Sequence, residues 1–172
     1  LMDVTITNGA IALVGNIAKP GPIPGPVAIV AGIGKNVTEC GAKVDGVTDD
    51  TVAINTCLVA FAHVFVPEGV ALHNGTISVP IGRTLSGVRY DGNGSVRGSV
   101  LKYTGTGKAV VLDASAGVMK SYKSIIKDIS IRSVGGTHGI YMKDVADILL
   151  ENVYVSGTLT DVTATGTLAV FA

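Results

Sequence analysis

The stretch GAKVDGVTDDTVAIN, Gly41 to Asn55, decides the fold of this chain. Asp45-Gly46 is a turn dipeptide, because Asp tolerates left-handed backbone geometry and Gly adopts it without steric cost. Thr48 then stands where an N-cap is expected, since its hydroxyl can accept a backbone N–H one turn into a helix. The stretch therefore predicts a tight turn followed by a helix that begins at about Asp49.

The predicted helix has one apolar face. Its apolar residues recur at i, i+3, i+4 and i+7, the spacing that gathers side chains into one stripe: Ile54, Cys57, Leu58 and Phe61. Asn55 and Thr56 belong to the other side. We therefore expect one face of the helix to be buried against a core and the other to be exposed.

Three carboxylates, Asp45, Asp49 and Asp50, fall within six residues. They could bind a divalent cation or perform acid/base chemistry. Alternatively, Asp49 and Asp50 place negative charge at the positive end of the helix dipole. A calcium loop would need a Gly-centred twelve-residue ligand spacing and a closing Glu, and neither follows. We therefore predict a structural role and no metal site.

The same stretch, with Val64-Phe-Val-Pro-Glu-Gly69 and Thr84-Leu-Ser-Gly87, resembles the start of the pectate-lyase-like domain of bacteriophage tailspikes and polysaccharide-degrading enzymes. The resemblance is specific from roughly Val37 to Gly87. In the rest of the chain it is limited to the general pattern of short strand-like segments and turns. It implies an all-β fold, a right-handed single-stranded parallel β-helix whose short N-terminal α-helix lies over the end of the core. It also implies a place in a virion tail, or otherwise a secreted or cell-surface location.

Composition is typical of the same architecture. The 23 Gly, the absence of Trp and the 5% of aromatic residues suit short strands separated by turns. Apolar residues make up 47% of the chain and charged residues 15%, which is more apolar surface than one small core needs. We therefore expect part of that surface to be buried between subunits, as in a homotrimer.

Several classes of protein are excluded. A membrane span needs about 20 consecutive apolar residues, whereas the apolar run from Val27 to Ala31 is closed by Gly32. Asp3 precedes any basic residue, which argues against a secretory signal. The net charge is zero and the basic residues are scattered, so nucleic-acid binding has no electrostatic basis. We predict no membrane insertion, no nucleic-acid partner and no cofactor.

The chain divides into two regions. Residues 1–36 are an extended Gly/Pro-rich arm or connector, in which prolines alternate with other residues between Pro20 and Pro26. This arm is either a flexible linker or, as we favour, a docking arm for neighbouring tail or baseplate proteins. Residues 37–172 are the N-terminal part of a β-helix domain, with a capping helix at about 49–62 and coils over about 63–172. The final coil lacks a cap, so we expect further chain to follow.

An internal repeat aligns Lys127–Ser133 with Glu151–Gly157 at an offset of 24 residues. A period in this range is typical of stacked solenoid coils. It places Ile129 and Ile131 under Val153 and Val155 in the core. The predicted strands are 64–66, 76–79, 99–103, 109–112, 125–131, 139–142 and 147–155.

The same register places Asp128 under Asn152, with Glu151 beside it. Asp128 and Glu151 could form a carboxylate pair that cleaves glycosidic bonds, or Asp128 and Asn152 could form a polar stack at a coil corner. We favour the corner stack and assign no catalytic residue. A hydrolase or lyase acting on polysaccharide stays an alternative, with its chemistry in later coils or absent sequence. A non-catalytic module that binds host polysaccharide is a second alternative, for which the tyrosines could stack on sugars: Tyr90, Tyr103, Tyr122, Tyr141 and Tyr154.

The remaining reactive residues receive structural interpretations. For Cys40 and Cys57 we favour buried thiols, and a disulfide stays the alternative if the helix folds back onto the turn. The three histidines lack metal-ligand spacing and are assigned to the surface or to turns: His63, His73 and His138. The phenylalanines are assigned to the core: Phe61, Phe65 and Phe171. Three Asn positions match the glycosylation pattern weakly (Asn36, Asn74 and Asn93), and the Gly-rich segment from Gly92 to Gly98 is interpreted as a turn.

Overall fold

The computed structural model of the chain describes residues 4–7, 10–13, 34–89, 98–114, 123–157, 160–165 and 169–171. The chain forms two compact units, Leu1–Val30 and Ala31–Ala172. In the first unit, strands β1 (Val4–Thr7) and β2 (Ala10–Leu13) pair antiparallel. The predicted extended conformation around Pro20 to Pro26 lies outside the described residues.

The second unit contains short strands, one 3₁₀ helix (Val37–Cys40) and one α-helix, α1 (Thr51–Ala60), within its described residues. Its strands are β3 (Lys35–Asn36), β4 (Asp45–Asp49), β5 (His63–Phe65), β6 (Gly69–His73), β7 (Ile77–Ser78), β8 (Thr84–Ser86), β9 (Ser99–Tyr103), β10 (Lys108–Asp113), β11 (Ser124–Ser133), β12 (His138–Lys143), β13 (Ala146–Ser156), β14 (Thr160–Thr165) and β15 (Ala169–Phe171).

The strands pair in parallel and form three faces that the chain visits in turn. Face A contains β3, β5, β8, residues 124–127 of β11, residues 146–151 of β13, and β15. Face B contains β4, β6, β9, residues 129–133 of β11 and residues 153–156 of β13. Face C contains β7, β10, β12 and β14. This arrangement confirms the predicted single-stranded parallel β-helix.

The core lies between the three faces. Alternate side chains of each strand point inward, and those of successive coils stack on one another. Ile129 pairs with Val153 and Ile131 with Val155, so the predicted offset of 24 residues is confirmed. Ile126, Ile129 and Ile131 are fully buried. The column of apolar side chains that they continue is the main source of hydrophobic stabilisation.

All seven predicted strands are present, with bounds that agree or differ by at most two residues. Six strands of this unit are not among the predicted ones: β3, β4, β6, β8, β14 and β15. β3 and β8 are only two and three residues long, and β4 and β6 show no clear alternation of apolar and polar residues. Their place in the fold comes from pairing with neighbouring coils rather than from their own composition.

The capping helix is shorter than predicted, since α1 covers Thr51–Ala60. Ile54, Cys57 and Leu58 are fully buried and join the core of the first coil, as the apolar stripe predicted. The prediction for Phe61 was wrong, because Phe61 ends the helix with an extended backbone and is 40% exposed. Its ring instead lies 5.4 Å from the ammonium group of Lys35.

Candidate functional site

The carboxylate of Asp45 closes the acidic turn, residues 45–48, by hydrogen bonds to the backbone. One carboxylate oxygen of Asp45 accepts hydrogen bonds from the backbone N–H groups of Val47 (2.9 Å) and Thr48 (2.8 Å). The other accepts the Thr48 hydroxyl at 2.8 Å. These bonds, that from the Thr48 N–H foremost, hold the pKa of Asp45 below its ordinary value. Thr48 therefore closes a turn, and its predicted role as the N-cap of the helix was wrong.

Asp49 and Asp50 connect this turn to α1. Asp49 accepts hydrogen bonds from the hydroxyl and the N–H of Thr51, and the hydroxyl contributes most to lowering the pKa of Asp49. Asp50 is buried, and its carboxylate accepts the backbone N–H groups of Lys43 (2.7 Å) and Val44 (2.9 Å). All three carboxylates therefore bind backbone donors, in agreement with the structural interpretation of the cluster.

A disulfide joins Cys40, in the 3₁₀ helix, to Cys57, on the buried side of α1. The Cα atoms are 5.6 Å apart, within the usual range for a disulfide. The prediction of two buried thiols was therefore wrong. The sequence places the two residues 17 positions apart, and only the return of the helix onto the 3₁₀ helix brings them together.

Asn55 has a role that its sequence context did not reveal. Its amide nitrogen donates to the carbonyl of Thr76 at 2.9 Å, and its amide oxygen accepts the N–H of Ser78 at 2.8 Å. The side chain thus pairs with β7 as a neighbouring strand would, at the edge of Face C. Since exposed sheet edges carry unpaired backbone groups, Asn55 both covers an edge and holds the capping helix in place.

We expect Asn55→Asp to lower the free energy of unfolding by about 1–3 kcal/mol. The carboxylate would still accept from Ser78, but it would turn an oxygen towards the carbonyl of Thr76. Urea unfolding followed by circular dichroism measures the loss. Thr56→Asp, one residue along on the exposed side, is the matched control and should change stability by less than about 0.5 kcal/mol. Equal losses in the two variants would refute the edge-pairing role.

Asp128 and Asn152 meet at the corner where the chain passes from Face A to Face B. Both have a left-handed backbone, with φ of 55° and 50°, a conformation that Asp and Asn tolerate better than most residues. The Asn152 amide donates to an Asp128 carboxylate oxygen at 3.0 Å. The predicted corner stack is therefore confirmed. Glu151 is exposed and pairs in register with Lys127 on the preceding coil.

The coil before Asp128 has Gly87 at this corner. The Gly87 N–H donates to the carbonyl of Lys127 at 3.0 Å. A Cβ at Gly87 would lie 2.4 Å from the backbone oxygen of Asp128 and 2.6 Å from the Cβ of Ser99. Only glycine fits this position without a backbone shift, so the corner column consists of one glycine followed by two polar residues.

The corner stack predicts a salt-dependent effect of Asn152→Asp. Two carboxylates would face each other across about 3 Å, and the donor would be lost, so we expect a loss of about 1–2 kcal/mol at low salt. Asn152→Gly is the control, because glycine accepts the left-handed backbone and adds no charge. The defect of Asn152→Asp should shrink in 1 M salt, measured by urea unfolding, while that of Asn152→Gly should not. A salt-independent difference would contradict the stack.

The tyrosines do not form one platform. Tyr103 is buried in the core, so its assignment as a sugar-stacking residue was wrong. Tyr141 is half-buried, with the Lys108 ammonium 3.2 Å from its ring centre and the His138 ring edge-on at 5.3 Å. Tyr154 is half-buried on Face B. Tyr90 and Tyr122 lie outside the described residues.

The histidines fall into different environments. His63 is exposed and His138 half-buried, whereas His73 is fully buried and stacks on Tyr103 with 5.1 Å between ring centres. The assignment of His73 to the surface or to a turn was therefore wrong. Across the described residues, no three His, Cys, Asp or Glu side chains come together in a group that could hold a metal ion.

Other sequence motifs have local partners. The Asn36 side chain, in the first glycosylation pattern, accepts the N–H and the hydroxyl of Thr38 at 3.0 and 2.9 Å. Asn74, in the second pattern, is exposed at a bend. Asn93, in the third pattern, and residues 92–97 of the Gly-rich segment lie outside the described residues. A cavity of about 340 Å³ beside the last coils has an aliphatic lining with one polar group: Ile140, Leu150, Val153, Val155, Val162 and Asn152.

No helix in the described part of the chain combines the length and the apolar character required to cross a bilayer. The disulfide and the corner stack do not suggest an active site by themselves. The described residues form a capped solenoid, and its acidic turn and polar corner are held by hydrogen bonds within the fold.

Residues 34–116 match the family described as "Rhamnogalacturonase A/epimerase, pectate lyase-like". No curated protein matches the chain in sequence. Among solved structures, the chain is similar to Geobacillus virus E2 ORF18, with 20% identity and a TM-score of 0.57 over 88% of this chain and 39% of that one.

Two further structures are similar at lower scores. The Azotobacter vinelandii mannuronan C-5 epimerase AlgE4 A-module has 17% identity and a TM-score of 0.42 over 79% of this chain and 55% of that one. PfbA, a surface adhesin of Streptococcus pneumoniae, has 14% identity and a TM-score of 0.36 over 71% of this chain and 38% of that one. The chain therefore spans about 38–55% of the length of these three proteins. The family match together with the stacked parallel faces shows that this chain carries a pectate-lyase-like domain with the parallel β-helix fold.

Proposed function

We propose that this chain is a structural and adhesion part of a homotrimeric bacteriophage tailspike, located in the virion tail and directed at host surface polysaccharide. The observation that carries the proposal is the outer side of the cap. Helix α1 contains no charged residue, and Val52 and Val59 on its outer side are 77% and 68% exposed. Val47, in the preceding turn, is 82% exposed.

The outer face of a surface helix normally carries charged residues, whereas that of α1 carries Val52 and Val59 with the uncharged Asn55 and Thr56 between them. Large apolar side chains exposed at one end of a fold favour an interaction site there. An uncharged cap therefore supports a role in which this end of the solenoid abuts another component of an assembly. Neighbouring tail or baseplate proteins, reached through the arm of residues 1–36, are the partners that we propose.

The lateral contact between copies is proposed to use Face A. Ile125 and Leu149 pair in register and alternate with buried core residues, so they point outward. Phe65 is a third apolar side chain on the outside of this face, and it is half-buried, so its assignment to the core was wrong. Ile125 stacked on Leu149 offers apolar area on an outer face for a contact between subunits. A disulfide is also in keeping with an extracellular particle.

Light scattering of the purified chain tests this proposal. We expect a mass three times that of one chain. Leu149→Glu should reduce the mass to that of a monomer while the far-ultraviolet circular dichroism is retained. Val134→Glu, at a residue that is 74% exposed, is the matched control and should stay trimeric. A stable wild-type monomer would refute the homotrimer.

A polysaccharide hydrolase or lyase is the second candidate, and one observation favours it. Asp128 and Glu151 lie on successive coils beside the same corner, as a carboxylate pair would. Release of reducing ends or unsaturated sugars from host capsule, abolished in Glu151→Gln, would establish catalysis. If polysaccharide is retained on immobilised protein without any product, the domain is instead a binding module, for which Tyr154 on the outside of Face B is a contact candidate.

A further inference from the structure

His73 is held in a single tautomer inside the first coil. It has no exposed surface, and its Nδ1 lies 2.9 Å from the carbonyl oxygen of Gly75. A carbonyl can only accept, so Nδ1 carries the proton and donates. The other ring nitrogen, Nε2, is buried with no hydrogen-bond partner. In the neutral ring this nitrogen is a lone acceptor, whereas in the charged ring it would be a buried donor without an acceptor.

The charges around the ring only partly offset the free-energy cost of protonating the buried imidazole of His73. The carboxylates of Asp49 and Asp50 both favour the charged imidazole, and Tyr103 is the titratable group stacked on it. However, the Asp50 carboxylate already accepts two backbone N–H groups. Burial outweighs both carboxylates and lowers the pKa of His73 below its ordinary 6.5. Protonation of His73 therefore destabilises the state in which its ring is buried.

The segment that contains His73 also binds the capping helix α1. We call this segment, residues 73–78, the cap seat. Gly75 donates its N–H to the Thr51 hydroxyl at 3.1 Å, and Asn55 bonds to Thr76 and Ser78. His73 thus contacts the carbonyl of the same residue whose N–H holds the first turn of α1. Displacing the first turn of α1 from Gly75 would therefore loosen the segment whose carbonyl holds the His73 ring.

We propose that His73 makes the N-terminal cap an acid-sensitive latch, in which α1 stays docked on the cap seat above about pH 6.5 and is released below it, while the later coils stay paired. The sign follows from linkage. When α1 is released, His73 binds a proton at its ordinary pKa, whereas with α1 docked it does so only at lower pH. The docked state therefore loses stability as pH falls below about 6.5. The open fraction should rise by up to about tenfold per pH unit.

Hydrogen exchange of the full chain, followed by mass spectrometry between pH 7.5 and 5 and corrected for intrinsic rates, tests the latch. This range lies above the ordinary titration of carboxylates. We expect protection of α1 to fall below pH 6.5 in the wild type, while β12 keeps its protection. His73→Gln should remove the pH dependence of α1. His63→Gln, which removes an exposed histidine of the same coil, should leave it intact.

Three outcomes would overturn the proposal. The first is loss of protection in α1 and β12 together, which would indicate global unfolding. The second is a His73→Gln profile equal to that of the wild type, and the third is a flat wild-type profile. If His73→Gln does not fold, an NMR titration of the wild-type His73 ring decides instead. The ring must stay neutral while α1 is protected and gain its proton with the same midpoint as the loss of protection, and separate midpoints would refute the latch.

Discussion

Replacement of Cys40 by alanine is expected to lower the free energy of unfolding by about 3 kcal/mol, the value for a disulfide that closes a loop of this size. The bridge restricts the unfolded chain between the 3₁₀ helix and α1, and the 17-residue separation sets the entropy it removes. Cys40 is the better residue to replace, because Cys57 is fully buried and its loss would also disturb packing. Urea unfolding under non-reducing conditions measures the effect.

A chemical control accompanies this variant. Wild-type protein unfolded in the presence of a phosphine reductant should match Cys40→Ala, because both lack the bridge and both retain a buried sulfur at Cys57. The reductant should not change the stability of Cys40→Ala. If the purified wild type shows two reactive thiols after denaturation, or if the variant loses less than about 1 kcal/mol, the bridge does not stabilise the cap.

Ile131→Ala is expected to cost about 2–5 kcal/mol. The side chain is fully buried, with Leu101 of the preceding coil and Val155 of the following coil as its register partners. Its truncation leaves a cavity that the neighbouring coils cannot close without breaking their strand pairing. The loss should appear in the midpoint of urea unfolding with little change in the slope.

Ile125→Ala is the matched control for this core variant. It removes the same atoms from the same strand, β11, but from the outer side of Face A. We expect less than half of the loss caused by Ile131→Ala. The reverse order would mean that β11 is shifted by one residue, since a slip of one position exchanges the two faces of a strand.

The repeat could be predicted from the sequence only where two successive coils cross from Face A to Face B in the same way. β11 and β13 both cross from Face A to Face B through one polar residue, Asp128 or Asn152, so their offset of 24 residues is visible as a pattern. Earlier coils obscure the period. On Face A, Leu85 follows Val64 by 21 residues and Ile126 follows Leu85 by 41. Insertions between strands change the spacing without changing the stacking, so periodicity alone cannot find these coils.

The start of the helix was misplaced for a local reason. Thr48 and Asp45 form a closed turn, which competes with capping because Ser, Thr, Asn and Asp bond to whichever backbone donors are near. Asp50 then takes the boundary position but directs its carboxylate to Lys43 and Val44. A propensity argument ranks the residues that can cap a helix, but it cannot say which donor each side chain will reach.

The features that matter most for the cap depend on distant contacts. The bonds of Asn55 to Thr76 and Ser78 join residues 21 and 23 positions apart. His73 is buried beside Tyr103, its register partner on the next coil. In the sequence, Asn55 lies opposite an apolar stripe and His73 precedes an Asn-Gly turn, so both have the pattern of exposed residues. Only the docking of the helix makes Asn55 an edge partner, and only the stacking of the next coil brings Tyr103 onto His73.

The most direct test of the fold is cross-linking of adjacent coils. Lys127 and Glu151 are register partners, so their Cα atoms lie at about the 4.8 Å spacing of neighbouring strands, within the range that a disulfide can bridge. Lys127→Cys with Glu151→Cys should therefore oxidise to an intramolecular disulfide that peptide mapping locates. Lys127→Cys with Ser156→Cys, five residues further along the same strand, should not. Failure of the first pair to cross-link, or equal cross-linking of both pairs, would contradict the stacked β-helix.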